Sequence, residues 1–204
     1  MTDTKEKILT ASLKLFSKRG YEAVSVSEIA GELGITKGAL YRHYKNKRDI
    51  FDSIVKRMFE LDKENSQQHD MPTEKYKILP QKYRDTTVKS IKSFTAEQFK
   101  FWTQNEFAAC FRKMLQLEQH NNSETAELYD SCLVSGPVEY MADIFAELMK
   151  NGILKKDDSH RLAVEFYAPV FLLINMYSDQ TAAELTQLLE KIICAFFDRY
   201  ALND

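Results

Sequence analysis

The amino-acid sequence predicts an all-α protein with about nine helices. Only 6 glycines and 4 prolines occur in 204 residues, which is too few for the many tight turns of an all-β fold. Hydrophobic residues make up 44% and charged residues 28% of the chain, the usual proportions of a globular protein with a packed core. Apolar residues recur at helical spacing along most of the sequence. These observations favour long helices joined by few turns.

The first sixty residues predict four helices, and the first two have marked ends. Asp3 and Glu6 form a capping-box pattern at the start of the first helix, and Gly20 is placed to end it. Ser25 and Glu28 repeat the capping-box pattern at the start of a short second helix. The spacing therefore predicts two helices separated by a brief turn near residues 20–25.

The second and third predicted helices meet in a tight turn that contains Gly34. A glycine there accepts a positive φ without steric cost, and Thr36 can cap a third helix that runs from Lys37 to about Tyr44. A fourth helix is expected to start at Asn46. Four apolar residues form the buried side of the helix pair: Ile29, Leu33, Ile35 and Leu40. This is the pattern of a helix-turn-helix, although a generic helical hairpin shows it as well.

The outward positions of the third helix carry chemistry that folding does not require. Lys37 stands in the first turn, where the helix dipole disfavours a cation by ~0.3–1 kcal/mol, whereas a phosphate or a guanine edge would favour it. Gly38 and Ala39 are short enough for bases to approach, and Arg42 can hydrogen-bond guanine O6 and N7. Three further residues are placed to contact phosphates: Tyr41, Tyr44 and Lys47. The alternative is a solvated helix with incidental charge.

Charge is distributed unevenly along the chain. Residues 1–60 carry 12 Lys and Arg against 8 Asp and Glu, a net charge of +4, whereas residues 61–204 carry a net charge of −6. A basic segment on an acidic body indicates a polyanion partner for the N-terminal part. A chance excess of this size is the alternative.

Residues 5–52 resemble the DNA-binding domain of the TetR (tetracycline repressor) family of bacterial regulators. The matching stretches are ILTASLKLF at 8–16, GY at 20–21, VSEIA at 26–30 and GITKGALYRHY at 34–44, followed by Lys47. Family members carry an aromatic pair after the recognition helix, often Tyr then Phe, and this chain has His43 and Tyr44 in that place.

The resemblance implies an all-helical homodimer that binds a palindromic double-stranded DNA operator and a small-molecule effector. Residues 1–48 would form a three-helix helix-turn-helix DNA-binding domain, and residues 49–204 a helical ligand-binding and dimerisation domain. A ligand-responsive repressor is the expected function; an activator that uses the same residues and a non-DNA helical adaptor are the alternatives. The implied DNA contacts are Ser25, Ser27, Thr36, Lys37, Gly38, Tyr41, Tyr44 and Lys47, with base reading at Ala39, Arg42 and His43.

The rest of the chain predicts a helical body. Residues 65–80 are polar and read as a linker. Two helices with a break near Thr95 are expected over residues 83–119. One helix is expected over residues 123–150, where Gly136-Pro137 should break or kink it.

The last two predicted helices are apolar enough to form a dimer interface. Nearly every position of residues 163–177 is apolar, and such a helix must be buried on all sides. Two such helices from each subunit would form a four-helix interface, which the resemblance supports; filling the monomer core is the alternative. The predicted interface residues are Phe166, Val170, Leu173, Tyr177, Leu185, Leu189, Ile192 and Phe196.

Aromatic residues of the central helices predict a pocket for a lipophilic or aromatic effector. Apolar clefts with few polar groups are typical small-molecule sites, and Arg112 is a further candidate for orienting a polar ligand atom. Aromatic residues at helical spacing also form plain core. The candidate ligand-binding residues are Trp102, Asn105, Glu106, Phe107, Phe111, Tyr129, Tyr140 and Phe145.

The absence of several known sequence motifs argues against several classes of function. The sequence contains no GxSxG, GxGxxG, P-loop or HExxH pattern, so we expect no enzyme activity, no catalytic residues, no cofactor and no metal. The N-terminal residues lack the apolar stretch of a signal peptide, and the most apolar run has only 15 residues against the ~20 of a membrane span. We therefore expect a soluble, cytoplasmic protein without a membrane partner.

Overall fold

The computed structural model describes residues 2–202, with side chains from Thr4 onward, and confirms the all-α class. Within that range it has eleven helices, against the nine or so expected, and the added ones are short or arise from breaks. No helix of the described chain is long and apolar enough to cross a membrane. The helices are α1 (Thr2–Arg19), α2 (Val26–Glu32), α3 (Lys37–Leu40), α4 (Lys47–Gln68), α5 (Pro80–Arg84), α6 (Val88–Gln104), α7 (Glu106–Glu118), α8 (Ser123–Leu133), α9 (Ser135–Lys150), α10 (Ser159–Met176) and α11 (Ala182–Tyr200).

The predicted ends of the N-terminal helices are largely confirmed. Gly20 follows α1 with a φ of +84°. Asn46 Oδ1 accepts a hydrogen bond from the Asp49 N–H at 2.8 Å and so caps α4. The side chain of the predicted capping residue Asp3 lies outside the described residues. The third helix is shorter than predicted, because regular α-helix ends at Leu40 and residues 41–43 continue as turns.

One of the two predicted breaks in the body falls elsewhere. The break expected near Thr95 is wrong: Thr95 lies inside α6, where its hydroxyl donates to the Ile91 carbonyl at 2.8 Å. The chain instead breaks at Asn105, whose side chain accepts from the Ala108 N–H at 3.1 Å and starts α7. A cap three residues before its donor is a strong start signal for a helix.

The break near Gly136-Pro137 is confirmed, with its centre shifted to Val134. A Cβ atom on Gly136 would collide with the Ser131 carbonyl oxygen, so the close approach of the two helix ends requires glycine. Pro137 then stands in the first turn of α9, where a missing N–H removes no helical hydrogen bond.

The described chain forms two compact units that are interleaved in sequence. The first comprises Met1–Asp62 and Gln104–Tyr129, and the second comprises Lys63–Thr103 and Asp130–Asp204. In the first unit, α1 packs along α7, and the core includes Phe16, Ile29 and Phe111. This unit contains the complete helix-turn-helix.

The second unit has an aromatic core formed by α9, α10 and α11. Phe145 packs against Phe166 and Phe196, each with ring centroids 5.5 Å from it, and Phe197 joins the group. The same unit contains the buried carboxylate of Glu147, which accepts from the Tyr76 hydroxyl at 2.6 Å. A buried carboxylate needs such partners to offset the loss of water.

Candidate DNA-binding site

The turn between α2 and α3 has the geometry that the sequence predicts. Gly34 has a φ of +64°, and the Ile35 N–H donates to the Ala30 carbonyl at 3.0 Å. Thr36 Oγ1 accepts from the Ala39 N–H at 3.1 Å and starts α3. Leu40 is fully buried and holds α3 against the rest of the unit. The outward face of α3 is thereby fixed by a turn and a cap that are both local.

The start of α2 is a complete capping box. The Glu28 N–H donates to Ser25 Oγ at 3.2 Å, and the Ser25 N–H donates to Glu28 Oε2 at 2.8 Å. Glu28 also pairs with Arg19 at 2.7 Å. The Ser25 N–H and the guanidinium of Arg19 stabilise the carboxylate and lower the pKa of Glu28 to about 2. Ser25 and Ser27 are exposed at this end of α2.

The exposed side of α3 brings together most of the predicted DNA contacts. Lys37 and Arg42 are exposed, and neither forms an ion pair with a carboxylate in the described part of the chain. The Lys37 ammonium lies 5.8 Å from the centre of the Tyr41 ring, which is itself 43% exposed. Gly38 and Thr36 are exposed beside them, and Ala39 and His43 are half-buried. This surface offers exposed cations that have no carboxylate partner among the described residues, beside short side chains.

Tyr44 does not belong to that surface. Its side chain is buried, and its hydroxyl donates to the Lys5 carbonyl at 3.1 Å. Burial raises the pKa of Tyr44 to about 12. The predicted phosphate contact at Tyr44 is therefore corrected, because the hydroxyl closes an internal hydrogen bond between the start of the chain and the end of the helix-turn-helix.

Lys47 is half-buried and also turns toward the protein. Its ammonium donates to the Tyr21 carbonyl at 2.9 Å and lies 4.2 Å from the centre of the Tyr21 ring. The Glu22 carboxylate is 3.6 Å away. These contacts tie the start of α4 to the turn after α1, so a phosphate role for Lys47 would compete with three internal interactions.

Three contacts that fasten the helix-turn-helix to residues 104–129 were not predicted from the sequence. Lys14 on α1 pairs with Glu106 at 2.7 Å. The Tyr21 N–H donates to the buried Glu118 carboxylate at 2.8 Å. These contacts join residues that are far apart in the chain, so no local sequence pattern predicts them.

The third of these contacts is bidentate. Both terminal nitrogens of Arg48 donate to the Glu124 carboxylate at the start of α8. The two Glu124 hydrogen bonds raise the pKa of Arg48, and the Arg48 bonds lower the pKa of Glu124. A bidentate arginine–carboxylate pair fixes orientation as well as distance.

The predicted ligand residues are divided between the two units. In the first unit Asn105 caps α7 and Glu106 is exposed beside Lys14; Phe111 is fully buried core, whereas Phe107 and Tyr129 are half-buried. In the second unit three of the predicted residues have their own packing roles. Trp102 packs on Phe101, the Tyr140 hydroxyl donates to the Pro72 carbonyl, and Phe145 lies in the aromatic core.

Most of the predicted dimer residues are buried within the single chain. Only Tyr177 and Ile192 keep partly accessible side chains. Apolar residues that the prediction did not select are exposed on the same two helices: Leu172 at 57%, Met176 at 53%, Val164 at 45% and Leu188 at 43%. The six predicted residues that form core are Phe166, Val170, Leu173, Leu185, Leu189 and Phe196.

Comparison with known proteins agrees with this geometry. Residues 8–54 match the family described as bacterial regulatory proteins, tetR family. YerO of Bacillus subtilis, an uncharacterized HTH-type transcriptional regulator, is 46% identical over 50 residues, which are 24% of this chain and 17% of YerO. Four of the curated relatives are matched over only 17% to 27% of their own lengths.

Two further similarities extend over nearly the whole chain. IcaR of Staphylococcus aureus, a negative transcriptional regulator of the biofilm operon icaADBC, is 25% identical over 186 residues, covering 85% of this chain and 98% of IcaR. SmeT of Stenotrophomonas maltophilia, solved in complex with triclosan, superposes with a TM-score of 0.68 at 19% identity, covering 98% of this chain and 93% of SmeT. The latter likeness shows the shared fold.

The two capped helices α2 and α3 and the tight turn between them define a helix-turn-helix motif. Residues 8–54, which include this motif, match the tetR family of bacterial regulatory proteins. Members of this family regulate transcription and are not enzymes.

Proposed function

We propose that this protein is a ligand-responsive repressor that binds a palindromic operator as a homodimer in the cytoplasm. The observation that carries the proposal is the exposed face of α3 and the turn after it, where Lys37 and Arg42 form no ion pair with a carboxylate of the described residues. Burying charge without a partner is costly, but leaving it exposed beside Gly38 and Ala39 suits a polyanion that approaches closely. The negative regulator IcaR supports repression rather than activation.

The DNA contacts follow from the chemistry of that face. Arg42 presents a planar fork that matches guanine O6 and N7. Lys37 and Tyr41 are placed for phosphate contact, and Ser27 at the start of α2 adds a hydroxyl donor. Gly38 leaves space for a base or sugar at the surface of α3. We propose residues 1–48 as the DNA-binding domain on this basis.

A homodimer would place two copies of α3 in successive major grooves, ~34–36 Å apart. The proposed dimer surface is the exposed apolar side of α10 and α11, formed by Val164, Leu172, Met176 and Leu188. Exposed apolar side chains that are grouped on two neighbouring helices are typical of a covered surface. We accordingly propose residues 49–204 as the dimerisation and ligand-binding domain.

Effector binding would release the operator through differential affinity. A ~10²-fold weaker operator complex corresponds to a coupling free energy of ~2.7 kcal/mol. The triclosan complex of SmeT supports a lipophilic or aromatic effector for a protein of this fold. In the first unit, the contacts of Glu106, Glu118 and Glu124 with the helix-turn-helix provide a physical route for such coupling.

A binding selection on random duplex DNA at two salt concentrations tests the proposal. We expect a palindromic motif whose affinity falls steeply with salt, because phosphate contacts release counterions. A folded dimer that enriches no motif, before and after unfolding, dialysis and refolding to remove bound effector, would contradict DNA binding. That result would favour the helical adaptor instead.

A further inference from the structure

A buried arginine in the first unit has no counterion. Arg112 lies on α7 and is only 7% exposed. Its Nε is completely buried and has no hydrogen-bond partner. No ion pair joins Arg112 to a carboxylate of the described residues. It is also the one buried cation among the side chains that the structure describes.

A buried arginine without a counterion is unfavourable in the free protein. Burial lowers the pKa of Arg112, and the neighbouring Tyr129 only partly opposes this effect. Arginine nevertheless keeps its proton in proteins, so the cost falls on folding and is not relieved by neutralisation. A buried charge that lacks a partner is normally removed or paired. The unpartnered Nε–H and the uncompensated charge of Arg112 would therefore both be stabilised by an anion from outside the chain.

The two glutamates of α7 have protein partners and Lys113 is exposed to solvent, which sets the buried Arg112 apart. Glu106 pairs with Lys14, and Glu118 accepts from the Tyr21 N–H. Arg112 stands six residues from each of these glutamates, so about 9 Å of helix separates it from each contact. An anion on Arg112 would thus bind midway between the two points where α7 holds the helix-turn-helix.

We propose that Arg112 binds the carboxylate of a small organic acid with an apolar body, and that this acid is the effector. One planar guanidinium matches one carboxylate in charge and in geometry. Ala108 and Leu115, four residues before and three residues after Arg112 on the same face of α7, are apolar and fully buried, which favours an apolar body. The effector role rests on the proposed function, whereas binding itself does not.

The test measures binding to the full-length protein without DNA, in chloride-free buffer. The probes are benzoate and octanoate, each compared with its uncharged amide, and the readouts are calorimetry and thermal unfolding. Arg112→Met removes the charge but keeps an unbranched apolar side chain. Lys113→Met is the matched control, because Lys113 is an exposed cation on the same helix.

We expect at least one acid to bind the wild type and Lys113→Met at least tenfold more tightly than its amide. Arg112→Met should lose that preference while its own melting temperature, without ligand, stays equal or rises. Arg112→Lys keeps the charge without the fork and should retain part of the preference.

Three results would overturn the site. The acid and its amide could bind with equal affinity, or Arg112→Met could bind the acids as tightly as the wild type does. The third result is that neither acid binds at a concentration on the order of 10 mM, where the weakest specific complexes form. Loss of folding in Arg112→Met would also contradict it, because the guanidinium would then stabilise the free protein. Operator release is measured separately. If an acid binds but does not release the operator, the Arg112 site stands and ligand-responsive regulation is refuted. If only neutral compounds release the operator, ligand-responsive regulation stands and the role of Arg112 in it is refuted.

Discussion

Helices α3 and α10 expose opposite kinds of side chain, and the difference indicates opposite kinds of partner. α3 and the turn after it expose Lys37 and Arg42, which form no ion pair with a carboxylate of the described residues, whereas α10 exposes Leu172 and Met176. Exposed cations are stable in water and attract polyanions over long distances. Grouped apolar side chains are stabilised only when another surface covers them. The cationic face thus suits a polyanion such as the proposed DNA, and the apolar face suits the proposed second copy of the chain.

The largest effect is expected on the apolar face. Leu172→Glu would place an unpaired carboxylate in the proposed dimer surface, which should weaken dimerisation at least ~100-fold, or about 2.7 kcal/mol. Light scattering should then report about 24 kDa rather than twice the 23.7 kDa chain mass. His160→Glu adds the same charge at the exposed start of α10 and should remain dimeric. A dimeric Leu172→Glu would remove α10 from the interface.

The second largest effect is expected from Arg42, and it tests whether the cationic face reads base sequence. Arg42→Ala should cost ~1–3 kcal/mol in operator affinity and relax preference at one base pair. Lys56→Ala removes one exposed positive charge from α4 and serves as the control. Selection and titration of both variants measure specificity and affinity. Equal losses in the two variants would show that Arg42 contributes only charge.

Gly38→Ala tests whether DNA approaches α3 closely. Its Cβ would meet only Thr36 Oγ1, at 3.9 Å, so the fold accepts the methyl group. We expect an unchanged or higher melting temperature, since alanine favours helix by ~1 kcal/mol, and about tenfold weaker operator binding. Gly31→Ala has no neighbour within 4 Å and should bind as the wild type does. Wild-type affinity in Gly38→Ala would contradict close contact.

The smallest effect concerns Tyr44, which the structure removes from the DNA face. Tyr44→Phe loses the hydrogen bond to the Lys5 carbonyl, so stability should fall by ~1 kcal/mol while operator affinity stays within twofold. The folded-state pKa of about 12 lies above the ordinary value of 10. The stabilisation is thus complete below pH 10 and lost as pH rises toward 12. Denaturant unfolding of Tyr44→Phe should show a smaller decline across that window.

The helix-turn-helix could be predicted because its determinants are local. Ser25 and Glu28 form their capping box across three residues, and Gly34 sets the turn by its own φ. The contacts that fasten this module to α7 and α8 were not predictable in the same way. Arg48 and Glu124 are 76 residues apart, and Tyr21 and Glu118 are 97 apart. Such pairs depend on tertiary packing that no sequence window contains.

The proposed dimer face shows a second physical limit on prediction from sequence. Charged residues mark a surface, because burying them is costly, but apolar residues mark either a core or an interface. Phe166, Phe196 and Leu172 all occupy apolar positions of helices that look alike in the sequence. In the structure the two phenylalanines pack around Phe145, whereas Leu172 is exposed. Tyr44 was misplaced for a related reason, since its ring belongs in the core and its hydroxyl needs a partner.

The most direct measurement of the DNA-binding face is the salt dependence of operator binding for Lys37→Ala beside Lys56→Ala. If Lys37 on α3 contacts a phosphate, the slope of log affinity against log salt should shrink by about one in Lys37→Ala and remain unchanged in Lys56→Ala. Wild-type slopes in both variants, or equal reductions in both, would contradict the assignment of the exposed side of α3 as the surface that meets DNA.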